Sequence, residues 1–322
     1  LMVYASHFSD EFEDARGFGW TVGETSFDWQ QFIAAKDAEI DRLNGIYINL
    51  LQQSGVELIN ERGIFVDDHT VSVGARTITA RTILVATGGI PWVPDLPGIE
   101  YAMTSDEAFH LEQLPGRIAV VGGGYIACEF SGIFNGLGSK VHQIYRGDEL
   151  LRGFDDDVRR SLAVEQKRRG IDVMVNTNVE RITSAGDGLE IQLDNGKQLA
   201  VDTVMYATGR VPYVRKLGIR NTSVEVRADG TIVVDEYSRT SAENIYAVGD
   251  VTQRVNLTPV AIYEGHAFAD TVFGDMDRPV SHEFVPSEVF SQQPVGTVGF
   301  SEHDAHSHYG EVDVYRLSLI HI

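Results

Sequence analysis

The stretch VVGGGYIACEFSGIFNGLG, residues 120–138, sets Gly122-x-Gly124-x-x-Ala127 directly after the apolar run IAVV. That spacing suits a pyrophosphate. Glycine at 122 permits a tight turn, glycine at 124 lets backbone approach the phosphates, and the small Ala127 lets the following helix pack closely on the strand. The start of that helix offers free N–H groups and a partial positive charge. About twenty residues after such glycines, an acidic side chain would take the ribose 2′-hydroxyl of NAD. This chain instead has Tyr145 and Arg146, with Arg152 one loop further on. Two guanidinium groups pair with a 2′-phosphate, so the spacing favours NADP; two solvated surface arginines beside Asp148 and Glu149 are the alternative.

At about 3.6 residues per turn, Ile126, Phe130, Ile133 and Leu137 form one apolar stripe. Tyr125 and Glu129 lie one turn apart on another face, placed to look into one site. Cys128, the sole cysteine, is offset from both groups and reads as a small buried side chain, not a redox centre. One cysteine forms no intramolecular disulfide, which fits a reducing cytoplasmic compartment, and it cannot shuttle between dithiol and disulfide.

The elements around these residues are those of an α/β protein. At 322 residues, two or more domains are expected. The formal charge of −21 makes nucleic acid or an anionic membrane an unsuitable partner, so phosphate binding must be local. No apolar run reaches about eighteen residues, so no membrane span is expected. The opening LMVYASHFSDEF lacks the features of a signal peptide, and a first residue of Leu1 suggests a piece of a longer chain. The spacing predicts a helix over 29–54, with Ile33, Ile40, Leu43, Tyr47 and Leu50 on one face. A β-rich meander and RTILVATGG follow, the latter a candidate for a fully buried parallel strand. Residues 89–116, with four prolines, read as a crossover linker. Strand, glycine loop, helix and strand then run from Arg117, followed by a helix over about 155–169, a strand at IDVMV, a meander, and DTVMYATGR. That last segment echoes Thr82–Gly89, and the two mark the return strands of two nucleotide-binding units, one inserted into the other. Thr258-Pro259 starts a helix to Phe273 as cap then proline. His303, His306 and His308 fall in a short acidic turn without ligand spacing, and no metal site is expected there.

RLNGIY, ATGG followed by GGGYIACE, the Arg146/Arg152 pair, ATGRVP, NIYAVGD, LTPVA and QPVGTVGF together resemble the flavin-dependent pyridine nucleotide-disulfide oxidoreductases, from Leu1 to about Arg316. RLNGIY and the arginines point to the NADPH–glutathione branch of that family. The resemblance implies two Rossmann-like FAD/NAD(P)-binding domains, the NADPH domain inserted into the FAD domain, plus the start of an α+β interface domain. The implied ranges are 1–111 and 232–282 for FAD, 112–231 for NADPH, and 283–322 for the interface domain. It implies a cytoplasmic homodimeric oxidoreductase of redox homeostasis that reduces glutathione disulfide, by hydride transfer from NADPH to FAD and then to a cysteine pair.

Residue by residue, the resemblance makes Tyr125 a gate ring over the flavin and sets Glu129 by the nicotinamide. Gly122, Gly124, Ala127, Arg146, Arg152, Gly209 and Arg210 would serve NADPH. Thr87, Gly88, Asp250, Leu257 and Thr258 would serve FAD, and Tyr47 the glutathione site. The chain departs from the family pattern in three ways: it has no earlier glycine fingerprint, no C-x-x-x-x-C dithiol, and no catalytic histidine of the late interface domain. The fingerprint sits mid-chain because it belongs to the inserted domain. The final LSLIHI does not continue the family pattern. A fragment that binds NADP without turnover, and a reductase of a trypanothione-like disulfide, stand as alternatives. Loss of the first FAD strand and helix would expose apolar surface, so 112–231 is expected to be the best-protected part of the chain.

Overall fold

The strand Arg117–Val121 shows how the sequence builds its surroundings. Its residues 118–121 are all buried, and alternate side chains pass to opposite faces of the sheet. Ile118 and Val120 join a core with Ala127, Cys128, Phe130, Ile133 and Phe134 of the helix Tyr125–Gly136. Ala119 and Val121 join a second core with Val179, Ile182, Ile191 and Leu193 of an antiparallel meander, Val179–Ala185, Gly188–Leu193 and Gln198–Val201. The computed structural model describes residues 1–317. Among these, one parallel sheet runs Ala102–Met103, Thr203–Tyr206, Arg117–Val121, Lys140–Ile144, Asp172–Met174 in spatial order. The helix Asp156–Arg168 begins with Asp155 accepting from the Asp157 N–H at 2.9 Å, a side-chain cap. The final residues 318–322, within the segment LSLIHI, lie outside the described residues.

By contacts the chain divides into two units: Leu1–Ala34 with Val93–Gly209 and the chain from Glu283 on, and Ala35–Trp92 with Arg210–His282. The sequence reading draws the inserted segment as 112–231; contact partition draws it as Val93–Gly209. The stretch read as a linker is structured. It holds the short strand Ala102–Met103, and Thr104 and Glu107 form a reciprocal capping box on Ser105–Ala108. In the first unit, the helix Met2–Gly17 packs on the fingerprint helix. A Cβ on Gly136 would lie 2.6 Å from the Ser6 carbonyl. Gln292 donates to the Gly132 carbonyl at 2.8 Å and to Ser6 Oγ at 2.9 Å, tying the late segment to the same helix. The three late histidines lie on a helix, Glu302–Tyr309, capped by Ser301, and not in a turn.

The second unit has a core of Phe65, Val85, Ile219, Val224, Ile232, Ile245, Ala247 and Val251. Ile83–Val85 pairs in parallel with Ile245–Ala247 alone, so Leu84 is 37% exposed and the strand is not buried on both faces as predicted. Gly89–Pro91 and Arg210–Pro212, the chain segments on either side of residues 93–209, pair antiparallel. The helix Trp29–Gln53 ends one residue short of the expected 54, and Ile40, Tyr47 and Leu50 are exposed at 43%, 65% and 54%. No described helix is long and apolar enough to cross a membrane.

Protection follows buried ladders and cores. Amide exchange is expected to be slowest within 112–231, led by Arg117–Val121 and Lys140–Ile144, and faster over residues 35–58. Equal rates in both segments would contradict this packing.

Candidate functional site

The fingerprint turn is shaped by one close approach. Gly122 has φ +150°, and a Cβ there would lie 2.3 Å from the Ala207 carbonyl oxygen and 3.1 Å from Ala127 Cβ. Gly122 and Ala127 therefore answer to packing against the second ATG turn. Gly124 does not: its φ is −84° and a Cβ there meets nothing within 4 Å. It is the N-cap of Tyr125–Gly136, has no side-chain cap, and is followed by no acid in the first turn. The helix thus presents uncapped N–H groups over open space, the arrangement that holds a phosphate.

Sequence spacing missed what Tyr145 does. A Cβ on Gly123 or Gly147 would come within 2.5 Å of its ring, so the two glycines enclose it. The GGG and YRG triplets carried that signal. Arg146 and Arg152 follow, both exposed, and neither has a hydrogen-bond or ion-pair partner among the described residues. The neighbouring Asp148 and Glu149 lie within 3.8 Å and 3.6 Å of Arg159 instead. Tyr125 is 39% exposed. Glu129, one turn on, is half-buried and accepts from the Phe290 N–H at 2.9 Å, a contact across 161 residues of sequence. Burial raises the Glu129 pKa, opposed by that hydrogen bond and reinforced by Glu288.

The other predicted residues gather in the second unit, apart from Gly209, which has φ +124° and open space around it. Gly88 has φ +68° and its carbonyl accepts from the Tyr213 N–H at 2.8 Å. Thr87 beside it is exposed. Arg210, assigned to the NADPH group by resemblance, turns its guanidinium to the Gly89 carbonyl. Asp250 stands against Gly89, whose Cβ would lie 3.5 Å from its Oδ2. Its turn is held by Glu264, a carboxylate only 1% exposed that accepts from the Gly249 N–H at 2.6 Å and meets Arg254 at 2.8 Å and His282 at 2.7 Å. No motif or spacing in the residue string points to that anchor. Leu257 is the N-cap of Thr258–Phe273 and makes no side-chain cap, so Thr258 is the first helical residue and not the cap as expected. Pro259, lacking an N–H, follows it in the first turn, where none is needed. Tyr47 stands exposed on its helix. Among the described residues, no group of three or more His, Cys, Asp or Glu is placed to hold a metal ion.

The family described as Pyridine nucleotide-disulphide oxidoreductase matches residues 4–265. The chain belongs to that family. A glutathione reductase of Burkholderia cepacia is 50% identical over 315 residues, 98% of this chain and 70% of that protein. A trypanothione reductase of Trypanosoma congolense is 40% identical over 98% of this chain and 67% of its own length. In structure, the HOCl-induced flavoprotein disulfide reductase RclA from Escherichia coli aligns with TM-score 0.84 at 28% identity, over 94% of this chain and 67% of that one.

For a pyridine nucleotide-disulphide oxidoreductase, the state of the cysteine matters. Cys128 is fully buried, and burial pushes its thiol up to about 12. Gln143 donates to its sulfur at 3.6 Å, within the wider limit for sulfur. It is a packing residue. Its thiol is expected to resist thiol reagents at neutral pH until the chain unfolds, and stoichiometric labelling of the native chain would contradict this. Glu129 holds its proton more tightly folded than unfolded, so this group makes stability fall as pH rises above the ordinary glutamate range. Glu129→Gln, which keeps an acceptor for the Phe290 N–H, is expected to flatten that slope. An unchanged pH dependence of the denaturation midpoint from acid to neutral would count against the shift.

Proposed function

We propose that these residues are the nucleotide-binding part of an NADPH-dependent, FAD-containing reductase of glutathione disulfide. The observation that carries this reading is the pair of partnerless arginines, Arg146 and Arg152, after an intact dinucleotide turn. The 50% identity to a glutathione reductase supports the substrate.

The residues present fit NADPH and, without the earlier glycine fingerprint, part of FAD. Open space at Gly124 and the uncapped helix start suit the NADPH pyrophosphate, while Arg146 and Arg152 suit its 2′-phosphate. For FAD, Thr87 and Gly88 at the first ATG turn and the Asp250 carboxylate lie in one unit, and the Thr258–Phe273 helix offers uncapped N–H groups. Segment 112–231 takes the NADPH role, 1–111 with 232–282 the FAD role, and 283 onward begins the interface domain. When bound, FAD supplies the two-electron chemistry between nicotinamide and thiols. The chain's own part is to hold, orient and shield. Tyr125, exposed at the helix start, would serve as the gate ring, and Glu129 would stand by the nicotinamide. Tyr47 lies by the disulfide substrate. The dithiol comes from outside these 322 residues, since the one cysteine here is buried. A cytoplasmic homodimer is the proposed setting, as the resemblance implies.

Binding of NADPH and NADH, read by nicotinamide fluorescence, tests this. Wild type is expected to prefer NADPH, and Arg146→Met with Arg152→Met to weaken NADPH about tenfold or more while leaving NADH little changed. Equal affinity for both nucleotides in wild type would refute the 2′-phosphate clamp. Stoichiometric FAD uptake tests the second cofactor, and binding of neither nucleotide would defeat the whole reading.

A further inference from the structure

Arg159 belongs to the helix Asp156–Arg168, outside both the fingerprint and the arginine pair. Its side chain is only 15% exposed, and its donors point back at the loop between Arg146 and Arg152. Nε donates to the Leu150 carbonyl at 2.9 Å, and Nη2 donates to the Glu149 carbonyl at 3.1 Å. Nη1 donates to Asp156 at 3.0 Å. The Glu149 carboxylate lies 3.6 Å from Nη1, and the Asp148 carboxylate 3.8 Å from Nη2. A planar guanidinium meets carbonyls and carboxylates at once in this way; an ammonium does not.

Two effects follow, and they differ in weight. The carbonyl bonds fix the backbone that carries the arginine pair, and they are partly buried. The ion pair to Asp148, whose side chain is 83% exposed, is weak on its own in salt solution. Its importance lies in what it prevents. Asp148 and Glu149 are the two carboxylates that lie between Arg146 and Arg152 in sequence, and left uncompensated they would bind those arginines or repel an incoming phosphate.

We propose that Arg159 is a specificity-positioning residue: it ties down the 148–150 loop and its acids, leaving Arg146 and Arg152 available to a nucleotide 2′-phosphate. This rests on the nucleotide-binding reading above, and Arg159 itself does not touch the nucleotide.

The test measures NADPH and NADH dissociation constants for the 322-residue chain as wild type, Arg159→Met, Asp148→Asn with Glu149→Gln, and all three changes together. NADH binding reports that the fingerprint remains folded in each variant. Arg159→Met is expected to weaken NADPH about tenfold and NADH less than about twofold. Removing the two acids from that variant is expected to recover the part of the NADPH affinity that the freed carboxylates cost, and not the part that the carbonyl bonds hold, with the coupling read as a double-mutant cycle against the acid-free chain. A purely structural role would weaken both nucleotides alike and show no rescue. An unchanged NADPH-to-NADH ratio in Arg159→Met, or no recovery in the combined variant, overturns the proposal. If wild type prefers NADPH and loses the preference with Arg146→Met and Arg152→Met, the clamp stands whatever Arg159 does. If wild type shows no preference, the clamp and this proposal fall together.

Discussion

The contact on which the nucleotide-binding unit depends is the approach of the Gly122 backbone to the Ala207 carbonyl, where a single methyl group would sit 2.3 Å from oxygen. It joins the fingerprint turn to the return strand of the same sheet. The Ala207 N–H donates to the Val121 carbonyl at 2.8 Å, and the Gly122 N–H donates to Ile144 at 2.9 Å. Gln143, fully buried, donates to the Gly122 carbonyl at 3.2 Å. Three adjacent strands therefore meet at one residue that carries no side chain. The position of that residue sets where the helix begins, and so where its free N–H groups stand. A fixed array of donors loses little entropy when an anion arrives.

Electrostatics around this turn work against a strongly acidic background. The formal charge of −21 leaves the chain net repulsive to a polyanion at long range. Many acids are matched locally, as Glu165 with Arg168, Asp202 with Arg117, and Asp157 with Arg160 and Arg316. Each matched pair lowers the reach of its carboxylate. Against that, Arg146 and Arg152 stand beyond the strand end without an ion-pair partner among the described residues. Glu129 is the opposite case: its carboxylate is drawn partly out of water with Glu288 near it, which favours the neutral acid.

Much of this was legible in the residue string because it is local. The Gly-x-Gly-x-x-Ala spacing, the apolar stripe from Ile126 to Leu137, and the helix from Thr258 to Phe273 each need only a dozen or so neighbours to be read. What stayed hidden depends on pairs distant in sequence. Phe290 meets Glu129, Gln292 meets Ser6, and Glu264 meets Gly249, and no periodicity announces them. The exposed Tyr47 face shows the complementary failure: spacing finds an apolar stripe but does not say what covers it. Thr258 shows a finer limit, since a helix start is read to a residue or two and a cap requires the bond itself.

The short antiparallel pairing of Gly89–Pro91 with Arg210–Pro212 has an engineering consequence. Pro91 faces Arg210, so the two ends of the 93–209 segment are pinned about 5 Å apart. A segment with adjacent ends costs little loop-closure entropy to exchange, yet this one also has faces that Met2–Gly17 and Gln292 cover. A cassette for cofactor preference would have to bring those two outlying pieces with it.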